Sequence, residues 1–191
     1  MRAAVVAALV AGALAATGVF LRTAPVPLAS AASLRILCGA ERWSVKSFAD
    51  PDRMRVSLRP APRTVRQLSE LVRPVHRPAN GRTPAERRVY RVEATITASI
   101  DEADGDVHLV LTGDDGSTLI GESPRATCIA GARDRTAIMR ARSVAQSVRI
   151  GTRVVATGVG FFDFAHRQTG HARNYVELHP LLSLRSVSPS T

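Results

Sequence analysis

The sequence predicts a mainly β fold, a five-stranded OB-like Greek-key barrel with an N-terminal extension. Between residues 89 and 188, five segments rich in β-branched and apolar residues are separated by turn signals, and one helical segment lies between the third and the fourth. This β-β-β-α-β-β order within a single short domain is the one that an OB-fold barrel requires. An open antiparallel α+β sheet is the alternative fold.

The first three strands follow from alternation and from turn residues. Residues 90–100 alternate apolar and polar side chains, which is typical of a half-buried strand. The acidic segment 101–106 makes a turn, and the short apolar strand 107–111 follows it. The Gly-Asp-Asp-Gly sequence at 113–116 is a hairpin signal, so residues 117–122 return as the third strand.

The second half of the barrel contributes a helix and two strands. Between residues 132 and 148, apolar side chains recur at helical spacing and neither glycine nor proline interrupts them. Residues 153–164 form the fourth strand, in which Gly158 and Gly160 suit a bend or a bulge. After a polar loop, residues 176–187 form the fifth strand.

The N-terminus predicts export. Arg2 precedes an apolar run of small residues from Ala3 to Leu21, and Ala29-Ser30-Ala31 has the small residues of a cleavage site. Residues 1–31 are therefore predicted to be a signal peptide. Because the run is nearly long enough to span a bilayer, retention as a membrane anchor is the alternative. Both outcomes place the rest of the chain outside the cytoplasmic membrane.

The two cysteines predict one disulfide. Cys38 and Cys128 are the only cysteines of the chain. In an oxidising compartment such a pair is expected to be bonded, which would connect the start of the exported chain to the barrel. Two cysteines cannot supply a four-cysteine zinc module, and a bonded pair leaves no cysteine nucleophile.

Residues 32–88 are predicted to form a basic, proline-rich extension with one short helix near Val65, capped by Thr64. From residue 32 to residue 91 there are 13 arginines and one lysine against five acidic residues. Such a charge favours attraction to a polyanion: a nucleic acid, an anionic envelope polymer or a lipid surface. A solvated arginine-rich connector is the alternative, because no block of consecutive basic residues occurs and aromatic residues make up only 4%.

Candidate site residues cluster around the fourth and fifth strands. Glu177 and His179 lie two apart, so on a strand they point to the same side, and Asp106 and His108 share a face for the same reason. In an OB fold the loop between strands four and five lies near the loop between strands one and two. The candidate ligand or metal site comprises Asp106, His108, Asp163, His166, Asn174, Glu177 and His179.

These side chains are of the types that bind zinc and other transition metals, and a metal-bound water at such a site can hydrolyse an ester or a phosphodiester. No short-spaced metal motif is present, however, and a histidine on a strand is often a hydrogen-bonded structural residue. A divalent metal is therefore one hypothesis, a non-catalytic ligand site is the second, and structural hydrogen bonding, as within a long loop, is the third. No glycine loop for a dinucleotide cofactor occurs.

The chain also resembles a family of exported bacterial proteins without an established activity. The resemblance covers roughly residues 38–184. Its most specific part is a GxGFFDFxHxQxG…NxxELHP motif, here Gly158 to Pro180; the other shared segments are 38–39, 41–46, 89–92, 106–111, 120–124 and Cys128. The resemblance implies an exported domain and transfers no catalytic residue.

Three functional hypotheses follow from the sequence. The first is an exported, disulfide-tied binding domain for a polyanion or a cell-envelope polymer. The second is a metal-dependent extracellular hydrolase, such as a nuclease, that uses the histidine and carboxylate residues. The third is a structural envelope protein. Whether the chain is an enzyme is left open at this stage.

Overall fold

The computed structural model describes residues 38–39, 41–165 and 168–187. The predicted signal peptide, residues 1–31, and His166 of the candidate site lie outside the described residues.

Six strands and three α-helices make up the described fold. The strands are β1 (Ser57–Pro62), β2 (Arg88–Asp101), β3 (Val107–Thr112), β4 (Thr118–Ser123), β5 (Arg153–Phe162) and β6 (Val176–Ser186). The helices are α1 (Trp43–Lys46), α2 (Val65–Ser69) and α3 (Arg135–Ala145), and three short 3-10 turns lie at Pro51–Arg55, Ala85–Arg87 and Ala126–Cys128.

Strands β2 to β6 close into a barrel, which confirms the predicted OB-like fold. The strand order is β1-β2-β3-β4-β6-β5, and β5 also pairs with β2 and completes the ring. The pairing of β4 with β6 is parallel, whereas the other barrel pairings are antiparallel. Helix α3 lies in the chain between the third and fourth barrel strands, as the sequence predicts.

The extra strand β1 is the main feature that the sequence did not predict. It pairs in parallel with β2 at the edge of the sheet, and almost all of its residues are exposed. Pro60 and Pro62 lie within it, and proline is tolerated in a strand only where no ladder hydrogen bond is needed. The predicted fourth strand is also two residues too long, because β5 ends at Phe162.

The barrel core is formed by the inward-facing residues of the strands together with α2 and α3. Its buried members include Leu68, Val92, Ile96, Leu109, Leu111, Leu119, Ala141, Phe162, Leu178 and Leu181. The register of β5 with β6 shifts at Gly158 and Gly160, so the predicted bulge is present. A side chain at Gly160 would collide with the ring of Tyr90 and the carbonyl of Ala85, which explains the need for glycine.

The N-terminal extension packs closely onto the barrel. Two of its arginines are buried and bonded to buried carboxylates: Arg82 Nη2 lies 2.7 Å from Asp50 Oδ2, and Arg42 Nη1 lies 2.6 Å from Glu86 Oε1. Phe48 packs in a second, smaller core with residues of β5 and α3. A part of the basic charge of this segment therefore holds the fold together and is not available to a partner.

The predicted disulfide is present between Cys38 and Cys128, whose Cα atoms are 5.5 Å apart. Disulfides are typical of proteins that reside in oxidising environments. Within the described ranges, no helix has both the length and the apolar character needed to cross a membrane.

Candidate functional site

A cluster of ionisable side chains lies on the outer side of β3, β4 and β6. We call it the buried cluster, and it comprises Asp106, His108, Glu122, Glu177 and His179. None of the five is more than 1% exposed. Their positions follow from strand geometry, because His108 pairs directly with Glu122 across the β3–β4 hairpin and the parallel neighbour β6 contributes Glu177 and His179.

Glu122 lies at the centre of the cluster, between the two histidines. Its Oε1 is 3.2 Å from Nδ1 of His108, and its Oε2 is 2.9 Å from Nδ1 of His179. Glu102 Oε1 approaches the same nitrogen of His108 at 3.3 Å. The other ring nitrogen of His108, Nε2, lies 3.0 Å from the carbonyl oxygen of Thr169. Since a carbonyl only accepts, Nε2 carries a proton and Nδ1 is the atom directed towards the carboxylates.

His179 is fully buried and faces three carboxylates. Besides Glu122, Asp106 Oδ2 lies 3.8 Å from its Nε2, and Glu177 Oε2 lies 3.7 Å from its Nδ1. The edge of its ring meets Phe161, with the ring centres 5.8 Å apart. Among the described residues neither ring nitrogen forms a hydrogen bond of good geometry. Such a buried polar side chain is expected to have a partner.

The proximity of these groups shifts their pKa values strongly. Burial raises the pKa of Asp106 to about 7 despite the positive charge on His179. Burial alone would lower the histidine values, but the surrounding carboxylates outweigh it and raise the pKa of His108 to about 10 and that of His179 to about 9. Burial and the charge on Glu122 raise the pKa of Glu177. Burial opposes ionisation of Glu122 as well, but the two histidines hold its pKa well below its usual range.

Lys46 and Asp163 form the rim of the cluster. Lys46 Nζ lies 3.2 Å from Asp163 Oδ2, and the lysine side chain is 15% exposed, whereas that of Asp163 is 1% exposed. Burial opposes the charge on Lys46, but Glu177, Asp163 and Glu122 raise its pKa above the usual value. The ammonium group also lies 5.4 Å from the centre of the Phe161 ring, which connects the rim to His179.

Of the seven predicted site residues, four lie in the buried cluster: Asp106, His108, Glu177 and His179. Asp163 is at its rim. Asn174 lies apart and bonds to the backbone, since its Nδ2 donates to the carbonyl oxygens of Leu68 and Leu71, each at 2.9 Å. His166 lies outside the described residues.

Sequence reasoning missed Glu122, Glu102 and Lys46. Glu122 could have been predicted from the sequence, because a hairpin centred on the Gly-Asp-Asp-Gly turn places residue 122 opposite residue 108. Glu102 lies in the acidic segment 101–106, for which the sequence predicts only a turn. Lys46 is brought to the site by the packing of the N-terminal extension, and no local pattern signals this.

Two sets of ligand atoms in the site are close enough to share a metal ion. They are Glu102 with His108 and Glu122, and Asp106 with Glu122 and His179; the atoms of each set lie within 4.8 Å of one another. Glu122 belongs to both sets and offers one oxygen to each.

A groove of about 610 Å³ elsewhere on the barrel does not reach the cluster. Its charges largely cancel, and Arg153 Nη1 within it lies 2.6 Å from Asp114 Oδ1. The charged residues that line it are Arg63, Arg66, Arg91, Arg153, Glu93, Asp114 and Asp115. We therefore regard the buried cluster as the candidate site.

The fold and the cluster together define an OB-like barrel domain with a buried histidine–carboxylate site. No protein-family model and no curated protein matches the chain. Among solved structures it is similar to an OBody bound to hen egg-white lysozyme, with a TM-score of 0.39 and 14% identity over 54% of this chain and 84% of that chain. It is also similar to a putative aspartyl-tRNA synthetase from Leishmania major Friedlin, with a TM-score of 0.44 and 13% identity over 71% of this chain and 22% of that chain.

Proposed function

We propose that the protein is an exported domain that binds a divalent transition-metal cation in the buried cluster. The observation that carries this proposal is the arrangement around Glu122, whose two carboxylate oxygens are directed to Nδ1 of His108 and Nδ1 of His179. A further carboxylate lies beside each histidine, Glu102 at the first and Asp106 at the second. Each side of Glu122 thus brings one histidine and two carboxylates together, although on the second side Glu122 faces Nδ1 of His179 and Asp106 faces Nε2.

The orientation of His108 supports this proposal. A histidine that binds a metal through one ring nitrogen usually donates the N–H of the other to a carbonyl or a carboxylate, which fixes the ring. His108 donates from Nε2 to the carbonyl of Thr169 and presents Nδ1 to Glu122 and Glu102. The two buried ring nitrogens of His179, which have no aligned partner among the described residues, offer a second donor.

The donor atoms select the class of cation. Imidazole suits zinc and other first-row transition metals, whereas calcium and magnesium prefer sites made of oxygen alone. No thiolate takes part, because both cysteines are in the disulfide. We therefore expect Zn²⁺ or Mn²⁺ to bind in preference to Ca²⁺ or Mg²⁺.

The burial of the cluster favours binding over hydrolysis. Structural metal sites are closed by protein ligands, whereas catalytic sites keep a position open for water and substrate. Asp106, His108, Glu122 and His179 are each at most 1% exposed, so a polymer substrate has no direct approach to them. The proposed cation therefore stabilises the site and its loops, and we assign it no hydrolytic step.

The competing explanation is a metal-free network in which both histidines are protonated and paired with Glu122. Metal analysis of the purified protein distinguishes the two. We expect at least about one equivalent of Zn²⁺ or Mn²⁺, and a melting temperature that falls on addition of chelator because cation binding stabilises only the folded state. The double variant His108→Ala/His179→Ala, which removes the histidine of both ligand sets, should lose the metal and the response to chelator.

The matched control is His76→Ala, which removes a histidine that is exposed and outside the cluster. It should keep both the metal and the chelator response. A wild-type protein without metal, whose melting temperature is the same with added Zn²⁺, Mn²⁺ or chelator, would contradict the proposal and leave the protonated network as the explanation. An equal loss of metal in both variants would place the binding elsewhere.

Export is part of the proposal and has separate support. The apolar leader, the small residues at 29–31 and the disulfide agree with passage into an oxidising compartment. The resemblance to exported bacterial proteins points the same way. The mass of the protein recovered outside the cytoplasm should correspond to a chain that begins at Ala32, and recovery of the intact chain in the membrane fraction would support the anchor instead.

A further inference from the structure

Two arginines of the N-terminal extension flank the rim of the buried cluster. Arg73 Nη2 donates to the carbonyl oxygen of Asp163 at 3.0 Å, and its guanidinium carbon lies 4.6 Å from the centre of the Tyr175 ring. The guanidinium carbon of Arg77 lies 4.7 Å from the centre of the Phe164 ring. Phe164 follows β5 and Tyr175 precedes β6, so each ring supports one arginine at an end of the β5–β6 connection.

Among the described residues, these two arginines lack the carboxylate partner that the buried Arg42 and Arg82 have. Arg42, for comparison, lies against both carboxylate oxygens of Glu86, at 2.6 and 3.0 Å. Within the described residues neither Arg73 nor Arg77 is paired with a carboxylate, and the Nε atom of each is buried without a hydrogen bond. Both side chains are half-buried, so their unmet hydrogen-bonding capacity is costly.

The local field is positive around Arg77. Burial lowers the pKa of its guanidinium, and the charges on Arg73 and Arg42 lower it further, against a smaller opposing effect of Glu86 and Asp163. Like charges that are held together in a partly buried place destabilise the fold unless an anion compensates them. A bound anion at this position would remove the repulsion and supply the missing acceptor atoms.

We propose that Arg73 and Arg77 bind a phosphate group at the rim of the buried cluster. A guanidinium presents a planar fork of N–H donors that matches phosphate geometry, and stacking on an aromatic ring holds the fork in place. A phosphate group has more oxygens than a carboxylate, so it can accept a pair of N–H bonds from each of the two arginines at once. The proposal goes beyond the cation site, since neither arginine contacts a proposed metal ligand in the described structure.

The phosphate group can come from a small phosphate compound or from the backbone of a nucleic acid strand. Both present the same oxyanion to the two arginines. Inorganic phosphate and a short oligothymidylate are therefore the two probes, and competition between them shows whether they share a site. Every titration is run with and without chelator, so that failure of phosphate binding is distinguishable from failure of the proposed metal site.

The test is titration of the purified protein with inorganic phosphate, followed by calorimetry. Loss of one charge-assisted fork is expected to weaken binding about tenfold or more in Arg77→Gln and in Arg73→Gln. Arg59→Gln is the matched control, because Arg59 is exposed on β1 and its loss removes the same charge from the same segment. Arg77→Lys keeps the charge but loses the fork, and it should fall between Arg77→Gln and the wild type.

Circular dichroism spectra of all variants establish that each is folded before binding is compared. Absence of phosphate binding by the wild type, or an equal loss in Arg59→Gln and Arg77→Gln, would overturn the proposal. Binding of the oligothymidylate that phosphate displaces, and that Arg77→Gln abolishes, would identify a nucleic acid backbone as the source. Binding of phosphate alone would identify a small phosphate compound at the same two arginines.

Discussion

The buried pair Arg42–Glu86 joins the N-terminal extension to the barrel, and its disruption gives a strong prediction. Glu86 accepts four hydrogen bonds: two from Arg42, one from the backbone N–H of Phe162 and one from that of Thr83. The change Glu86→Gln keeps the size of the side chain but replaces one accepting oxygen with an NH₂ group. That group must face a donor, and the charge on Arg42 is left buried without a counter-ion.

The expected loss in the free energy of unfolding follows from these contacts. Removing one partner of a buried ion pair typically costs about 3–5 kcal/mol, because the remaining charge stays desolvated. The side chains of Arg42 and Glu86 are 3% and 0% exposed, so solvent offers little relief. Arg42 keeps its bonds to the carbonyl oxygens of Pro78, Gly81 and Phe162, which places our expectation near the lower end, at about 3 kcal/mol.

Urea denaturation at neutral pH measures the effect as a change in the free energy of unfolding. The control is Glu93→Gln, which removes a carboxylate that is 54% exposed and should change stability by less than about 0.5 kcal/mol. A loss below about 1 kcal/mol in Glu86→Gln would refute the reasoning, since it would mean that water reaches Arg42. The double variant Arg42→Met/Glu86→Gln should recover part of the lost stability, because neither position 42 nor position 86 then carries a buried charge.

The Arg42–Glu86 pair also predicts how the stability of the protein depends on pH. Burial opposes ionisation of Glu86, but Arg42 and the two backbone N–H groups outweigh it and lower its pKa. A carboxyl group with a lowered pKa stabilises the fold fully above its unfolded value of about 4.3, and this contribution disappears as the pH falls through the folded value. The difference in stability between wild type and Glu86→Gln should therefore be constant from pH 6 to 8 and shrink below about pH 4.

Two further predictions concern the disulfide and the loop that covers β3. Reduction of Cys38–Cys128, which spans 90 residues, should lower the free energy of unfolding by about 4–5 kcal/mol, measured by urea denaturation with and without reductant. Gly170→Ala should cost more than about 1 kcal/mol, because Gly170 has φ +76° and an added Cβ would collide with the Val110 side chain. Val110→Ala in the same chain removes the two methyl groups but keeps a Cβ at 2.9 Å, so it should relieve part of the collision and restore only part of the stability in the same assay.

The fold was predictable because its signals are local. Alternation, the Gly-Asp-Asp-Gly turn and the helical spacing of residues 132–148 each act within a few neighbours, and the OB order follows once they are arranged along the chain. Strand β1 carries no such signal, since it is exposed and its only pairing partner, β2, lies about 30 residues away in sequence. From local sequence signals alone, an edge strand that contains Pro60 and Pro62 is indistinguishable from an extended linker.

The candidate site was predictable only where the strand period sets the direction of a side chain. That rule placed Asp106 with His108 and Glu177 with His179. The strand period does not predict the position of Lys46, which lies in the short helix α1, more than 100 residues from Asp163 in sequence. The charge count is limited for a related reason. It treated arginines as surface groups, whereas the fold buries Arg82 and Arg42 against carboxylates of the same segment.

The covering of the β3–β4 face explains why a ligand would bind at the rim of this barrel. The second and third strands of an OB barrel usually form its ligand-binding face together with adjacent loops. Here the connection between β5 and β6 lies on that face, since His108 donates to the carbonyl of Thr169 and Thr118 donates to the carbonyl of His171. A ligand could use the face only by displacing these contacts, whereas the two arginines at the ends of the connection remain accessible. A polyanion that binds with the usual OB geometry would have to expose Val110 and the buried cluster. Phosphate that binds at the rim leaves these residues covered, so amide hydrogen exchange in β3 should stay unchanged when phosphate binds.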